Sequence, residues 1–284
     1  MIQYLYLGRM SYAESLELQQ EMVELRHQGR VDNLLLLLEH PPVLTLGRNS
    51  NRSNVLATDE MLVRKGVTIY EINRGGDVTY HGPGQLVGYP IFDLRSLTNA
   101  NGARLGPVDY VRRMEEALIR LCAGYGILTG RVAGRTGVWT TAALGREKKI
   151  GAIGVHVSRG ITSHGFALNV TTDLRDFQWI VPCGIADREV TSLELEMPAA
   201  QDVPTLEQAA NAAARHFGHV FAQPVLAVAS LDELRSNAYA HEKQYAFSDV
   251  QQVGVPMQIP KEIKHLNQLR SRGDNDRDDG TVGV

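Results

Sequence analysis

Cysteine is scarce in this chain: 284 residues contain two, Cys122 and Cys183, and no CxxC pair. A disulfide framework and the usual zinc spacings are therefore excluded, and each thiol needs its own explanation. Long apolar runs are missing too. The longest, Leu34 to Leu38, ends at Glu39 and falls far short of the roughly 20 residues that cross a bilayer, so no membrane span is expected. The opening MIQYLYLGRM lacks a basic start followed by an apolar run and a small-residue cleavage site, which predicts a cytoplasmic protein. Neither sign of charge dominates: 29 Lys and Arg against 32 Asp and Glu leave −3, which argues against a nucleic-acid partner. Internal repeats, a GK[ST] phosphate loop, a dinucleotide fingerprint, a G-x-S-x-G elbow and an H-E-x-x-H helix are all absent.

What is present is a globular composition, 43% hydrophobic and 21% charged, able to bury a sizeable core. Ser11 and Glu14 stand at capping-box spacing ahead of Leu16, Leu18, Met22 and Leu25, predicting an amphipathic helix that stops at Gly29. Val31 to Leu38 and Val43 to Leu46 read as strands around the Pro41-Pro42 break, and Thr58 caps a short helix before a strand over Val67 to Ile72. Leu86 to Leu94 reads as extended. Pro107 opens a helix whose Val111, Met114, Leu118, Leu121 and Cys122 share one face, making Cys122 a core residue. Val138 to Ala143, Lys149 to Val157 and Ile161 to Val170 predict an antiparallel meander, and Val190 to Leu195 reads as a further strand. Thr205 and Gln208 cap a last strong helix to Phe221, a short helix is expected over Leu231 to Ala240, and the polar terminus from Gln251 is expected to be mobile. Strands in pairs and meanders rather than regular βαβ units point to an α+β fold with a mixed, mostly antiparallel sheet and flanking helices.

Chemistry concentrates in a few places. Arg74 to Gln85, RGGDVTYHGPGQ, gathers glycines, an arginine and His81 in a stretch suited to bring backbone close to a ligand. Lys149 begins the apolar run Ile150-Gly151-Ala152-Ile153-Gly154-Val155; spacing alone fits a strand-end lysine reaching water, with a proton shuttle beside a dry groove as the alternative. Cys183 lies between Pro182 and Gly184 in a turn that can present its sulfur to a substrate, and its proton could pass to Lys149, His81, His156 or His164. His216 and His219, at i and i+3, have no third ligand nearby, so no metal is expected. Between Arg104 and Arg159, ten Lys and Arg face four Asp and Glu, a local excess of +6 that suits an acidic partner.

In order and separation, RGGDVTYHGPGQ, KIGAIGV, HGFALNV and PCGI resemble the lipoyl(octanoyl) transferases. The resemblance covers roughly residues 1 to 225 and implies the catalytic fold shared by biotin- and lipoate-protein ligases. It divides the chain into a catalytic domain, 1–229, and a C-terminal extension, 230–284, partly helical and then disordered, to which no motif attaches. It further implies transfer of an octanoyl group from octanoyl-acyl carrier protein to a lysine on lipoyl domains of 2-oxoacid dehydrogenase E2 subunits and on the glycine-cleavage H protein, the first step of endogenous lipoylation, with no cofactor. Matched residue by residue, Cys183 is the acyl-accepting nucleophile and Lys149 the residue that lowers its pKa and shuttles protons. Arg74, Gly75, Gly76, Asp77, Val78, Thr79, Tyr80 and His81 match the first substrate-binding motif, Ala152, Ile153 and Gly154 the second, and Gly165, Phe166 and Ala167 the third. Gly151, Ala152, Gly154, Gly165 and Ala167 would then shape the walls of an acyl channel. An ATP-dependent lipoate or biotin ligase on the same fold and a cysteine amidase are the competing readings.

Overall fold

The computed structural model describes residues 1–99, 101–141, 147–181 and 189–238. Contacts divide the chain into Met1–Tyr239 and Ala240–Val284; the second unit, with the expected mobile terminus, lies outside the described residues. Within the first, strands β1 (Ile2–Arg9), β2 (Asn33–Glu39), β6 (Gln85–Ile91), β7 (Thr129–Val132), β8 (Arg135–Thr140), β9 (Lys149–Ser158), β10 (Ile161–Asn169) and β11 (Val225–Ala227) form one sheet. Their order is β11-β1-β2-β6-β10-β9-β8-β7. β1 runs parallel to both β2 and β11, and the remaining neighbours are antiparallel. A smaller sheet sets β3 (Val43–Leu46) between β4 (Thr68–Glu71), parallel to it, and β5 (Val78–His81), antiparallel. The mixed, mostly antiparallel α+β architecture expected from the sequence is the one observed.

Alternation along β2 explains the layering. Successive strand residues face opposite sides: Leu35 and Leu37 join the cluster under α3 (Pro107–Gly124) and α5 (Leu206–Phe221), while Leu34, Leu36 and Leu38 join the cluster under α1 (Tyr12–His27). Both faces being covered, the run NLLLLLE carries no polar residue between its ends. The smaller sheet packs Leu44, Val78 and Tyr80 against Leu62 of α2 (Asp59–Arg64) and against Phe177 and Trp179.

The helix starts follow their caps. Glu14 N–H donates to Ser11 Oγ at 3.3 Å while Ser11 N–H donates back to Glu14 Oε2 at 3.2 Å. Thr205 and Gln208 do the same for α5, at 3.2 and 2.9 Å. Ser230 Oγ accepts from Glu233 N–H at 3.1 Å ahead of helical residues 231–238, whose Leu234 and Ala238 are buried beside α1. Cys122 is fully buried in the α3 cluster, as its helical face predicts.

Several segments differ from expectation. Val190 to Leu195 is not a strand: Val190 makes a single bridge to Lys149, and Ser192 then caps α4 (Leu193–Glu196) by accepting from Leu195 N–H. The extended run from Leu86 ends at Ile91, because Asp93 caps a tight turn over Leu94–Ser96. β1, β7 and β11 carry no clear alternation and went unread. No helix among the described residues is long and apolar enough to cross a membrane.

Candidate functional site

Where the smaller sheet and α1 meet the large sheet, a narrow cleft opens. The three sequence motifs converge on it. Arg74, Gly75, Gly76, Asp77, Thr79 and His81 form one side; Ala152, Ile153 and Gly154 from β9, with Gly165, Phe166 and Ala167 from β10, form the other. The last two groups face one another because Ala152 pairs with Ala167 and Gly154 with Gly165 in the ladder. Val78 and Tyr80 depart from the expectation. Alternation along β5 sends Thr79 and His81 into the cleft and turns Val78 and Tyr80 into the small-sheet core, where Tyr80 Oη donates to Asp176 Oδ2 at 2.6 Å. Gly151 also points away, its missing side chain facing Val138 and Leu118 rather than the cleft.

The RGGD loop is held from two directions. The Arg74 guanidinium donates to the Thr45 carbonyl at 2.6 Å and to Thr45 Oγ1 at 2.9 Å. On its other flank Gly75 N–H donates to Val155 O of β9 at 2.9 Å. Gly76, at φ +90°, makes the turn that an L side chain would resist. Asp77 closes the loop by accepting from Asn51 N–H and from the Asn54 amide.

Histidines around the cleft are neutral. Burial drives His81 down to about 3, with His40 adding to the effect, and its Nδ1 lies 2.8 Å from Gln85 Oε1. Burial likewise lowers His40 to about 4, and its Nε2 lies 2.7 Å from Tyr89 Oη. His164, lowered to about 4 by burial and then by Arg74, places Nε2 2.7 Å from Asn73 Oδ1. Desolvation raises Tyr12 well above an ordinary phenol. Its ring stacks toward His81 at 6.3 Å.

A second, smaller hollow shares Thr79, Ala152 and Ala167 with the first. Lys149 lines this one, buried, its Nζ 4.8 Å from the Trp139 ring centroid, a cation–π contact. Its backbone is fixed by the segment that follows the PCGI motif: Lys149 N–H donates to Glu189 O and Thr191 N–H donates to Lys149 O, both at 2.9 Å. Before that motif, Val181 N–H donates to Asn54 O at 2.7 Å. Cys183 itself, with residues 182–188, lies outside the described residues.

Lys149 also sits beside a special backbone position. Gly137 has φ +124°, and a side chain there would stand 2.6 Å from Gly151 O and 3.4 Å from Lys149 Cε. Its N–H donates to Glu115, a fully buried carboxylate that also pairs with Arg112 and Arg131. Arg131 and Arg120 bind Glu116 in turn. Arg112, Arg120 and Arg131 of the basic segment between residues 104 and 159 are thus tied to Glu115 and Glu116, while their side chains stay a third to a half exposed. Lys148, on the opposite face from Lys149, reaches Glu196 at 3.5 Å.

Sequence reading missed the contributions of α1 and β6. Tyr12, Val87 and Tyr89 line the cleft, yet none belongs to a motif. The only trace was period-two spacing of Gln85, Val87 and Tyr89 on one face.

Compared with known proteins, residues 11–218 match the lipoyl protein ligase A/B catalytic domain. The chain belongs to that family. It is 66% identical over 232 residues to a protein of Acidobacterium capsulatum named Octanoyltransferase, covering 81% of this chain and 94% of the relative. A Koribacter versatilis protein of the same name is 53% identical over 234 residues, 82% and 90% of the two chains. The transferase resemblance read from the motifs is thus borne out. Solved structures agree on the fold: a bipartite lipoate protein ligase from Thermoplasma acidophilum, described with its E2 lipoyl domain, superposes with a TM-score of 0.63 at 16% identity, over 84% of this chain and 91% of that one. Lipoate-protein ligase A bound with ATP gives 0.61 at 15%, over 84% and 94%.

Proposed function

We propose that this member of the lipoyl protein ligase A/B family moves an octanoyl group from octanoyl-acyl carrier protein to the acceptor lysine of a lipoyl domain, by way of a thioester on Cys183. The observation that carries the reading is that the two hollows share Thr79, Ala152 and Ala167, so that small residues of β9 and β10 lie between buried Lys149 in one and the RGGD loop in the other. Small side chains leave room for a slender chain, and each buried methylene contributes about 0.8 kcal/mol, so an octanoyl tail supplies several kcal/mol of affinity. The relatives' shared name, Octanoyltransferase, supports the same acyl group.

The chemistry divides into two steps. The Cys183 thiolate attacks the carrier thioester carbonyl; the carbonyl–sulfur bond to the carrier breaks, and Lys149 supplies the proton that the departing thiolate takes. One thioester replaces another, so no nucleotide is consumed. The acceptor amine then attacks the Cys183 thioester, Lys149 takes its proton, and the cysteine leaves as thiolate while an amide forms. 2-Oxoacid dehydrogenase E2 subunits and the glycine-cleavage H protein are the acceptors, and the cytoplasm is the compartment of this reading.

Intact-mass measurement after mixing with octanoyl-acyl carrier protein in the absence of ATP tests it. An octanoyl adduct is expected on the wild-type chain, labile to hydroxylamine, and no such thioester on Cys183→Ser. Lys149→Ala is expected to load and pass on the acyl group by a factor of about 10² or more slower, with unchanged melting. Modification of a lipoyl domain only when ATP is supplied would overturn the reading in favour of a ligase.

A further inference from the structure

β8 and β9 fall out of step beside Lys149. Val138 pairs with Gly151 but Trp139 with Lys149, so one step along β8 is matched by two along β9, and Ile150 is the extra residue of a bulge. The bulge sets where Lys149 points. In an unbroken strand residues two apart share a face, which would send Lys149 to the side of Gly151, toward Val138 and Leu118 in the core. Lys149 instead lines the second hollow with Ala152, its Nζ over the Trp139 ring. Bulges recur beside active sites, where a strand has one side chain to re-aim. Gly137, which precedes Val138, backs the bulge: a side chain there would meet Gly151 O at 2.6 Å and Lys149 Cε at 3.4 Å, one on each flank of Ile150.

We propose that Glu115 of α3 is a positioning residue for acyl transfer: by accepting the Gly137 N–H it holds β8 against the bulge that aims Lys149 into the hollow. This inference rests on Lys149 being the proton carrier of the proposed reaction. The two oxygens of Glu115 have separate partners. Oε2 takes Arg112 and Arg131 at 2.7 and 3.0 Å, while Oε1 takes the Gly137 N–H at 3.0 Å. Glu115 is fully buried, whereas the two arginine side chains are 49% and 36% exposed and reach water. Ion pairing alone is a weak reason to bury a carboxylate, because an apolar residue of similar size often serves stability as well. A buried backbone N–H in need of an acceptor is a stronger one. Of the partners of Glu115, Gly137 is the one that touches the bulge, so the carboxylate acts on Lys149 through β8.

Single-turnover loading of the full chain from octanoyl-acyl carrier protein tests this. Glu115→Met fills similar space without an oxygen and should slow loading by about tenfold to 10²-fold, the effect of moving a reacting group by up to roughly an ångström. Glu115→Gln keeps an oxygen for Gly137 while Arg112 and Arg131 turn to solvent, and should recover most of that rate. In the Lys149→Ala background Glu115→Met should add no further loss, because it acts through that side chain. Gly137→Ala presses on the bulge without altering the ion pairs; it should slow loading to a similar degree and likewise add nothing to Lys149→Ala. Wild-type loading by Glu115→Met, a loss that multiplies with that of Lys149→Ala, or a Glu115→Gln variant as slow as Glu115→Met overturns the proposal. If Glu115→Met does not fold, Gly137→Ala is read by the first two criteria. Hydrogen exchange at the Gly137 amide of the wild-type chain serves if neither folds: slow exchange supports the anchor and free exchange overturns it. Full-rate loading by Lys149→Ala would count against the transferase role of Lys149, whereas a slow Lys149→Ala beside a fast Glu115→Met counts only against Glu115.

Discussion

Gly154 has no room for a side chain. A Cβ there would stand 2.7 Å from Gly75 O and 3.1 Å from Arg74 Cδ, and the loop cannot retreat without breaking the bond from Gly75 N–H to Val155 O. Gly154→Ala is therefore expected to displace the RGGD loop and slow acyl loading by a factor of ~10², the effect of roughly an ångström of misplacement at a reacting centre. Gly151 is the control. Its Cβ would meet Val138 at 3.4 Å and Leu118 at 3.6 Å, ordinary contact on the core side of the same strand. Gly151→Ala should load octanoyl at close to the wild-type rate when both variants are followed by quenched flow, and equal damage from both substitutions would contradict the division of β9 into a core face and a cleft face. The two thiols part in a similar way. Cys122 is pushed up to about 12 by burial, so it has no thiolate at neutral pH and no part in acyl transfer.

The capped helices make the most direct passage from sequence to element. Thr205 and Gln208 hold the first turn of α5, and its Phe217 and Phe221 stack under the large sheet beside Phe92. Thr205→Ala removes one of the two reciprocal bonds and is expected to cost about 1 kcal/mol of stability, read as a lower urea midpoint at unchanged slope, while transfer activity stays intact. Activity lost in step with stability would mean that α5 also shapes the cleft. Elements of this kind were legible because a cap and a hydrophobic period are local signals. β2, β3, β9 and β10 were legible for the same reason, and so were Arg74 to His81 and the small residues opposite them. β1 and β11 were not: Ile2 pairs with Asn33 and with Val225, and a parallel edge assembled from such distant segments leaves no short-range pattern. Tyr12 and Tyr89 escaped because their place beside the cleft depends on how α1 lies across β6 and β10. Val78 and Tyr80 were read as ligand-facing because a motif is contiguous, whereas a strand presents only alternate residues.

Binding a chain between two sheets requires an interior that is dry yet not wholly apolar, and this has a consequence for the stability of the whole molecule. His40 follows β2, His81 ends β5 and His164 lies in β10, so the three buried histidines come from both sheets. His40 and His81 lie 5.9 Å apart between ring centroids, with Tyr12 of α1 against both. Burial holds His40 and His164 down at about 4 and His81 at about 3, whereas in the unfolded chain an imidazole titrates near 6.5. Between those values the unfolded chain binds more protons than the folded one, so stability is full above about pH 6.5 and falls as the pH drops, by up to ~1.4 kcal/mol per pH unit for each histidine. Urea midpoints measured from about pH 7.5 down to about pH 5 should decline through this window. Carboxylates held low by arginines, such as Asp173 at about 2 beside Arg175, lose their contribution only at lower pH and do not produce this decline. His40→Gln should flatten the decline by roughly one proton's share. A midpoint independent of pH across this range would mean that the cleft takes up protons without opening, and that the sheets are not held together through neutral histidines.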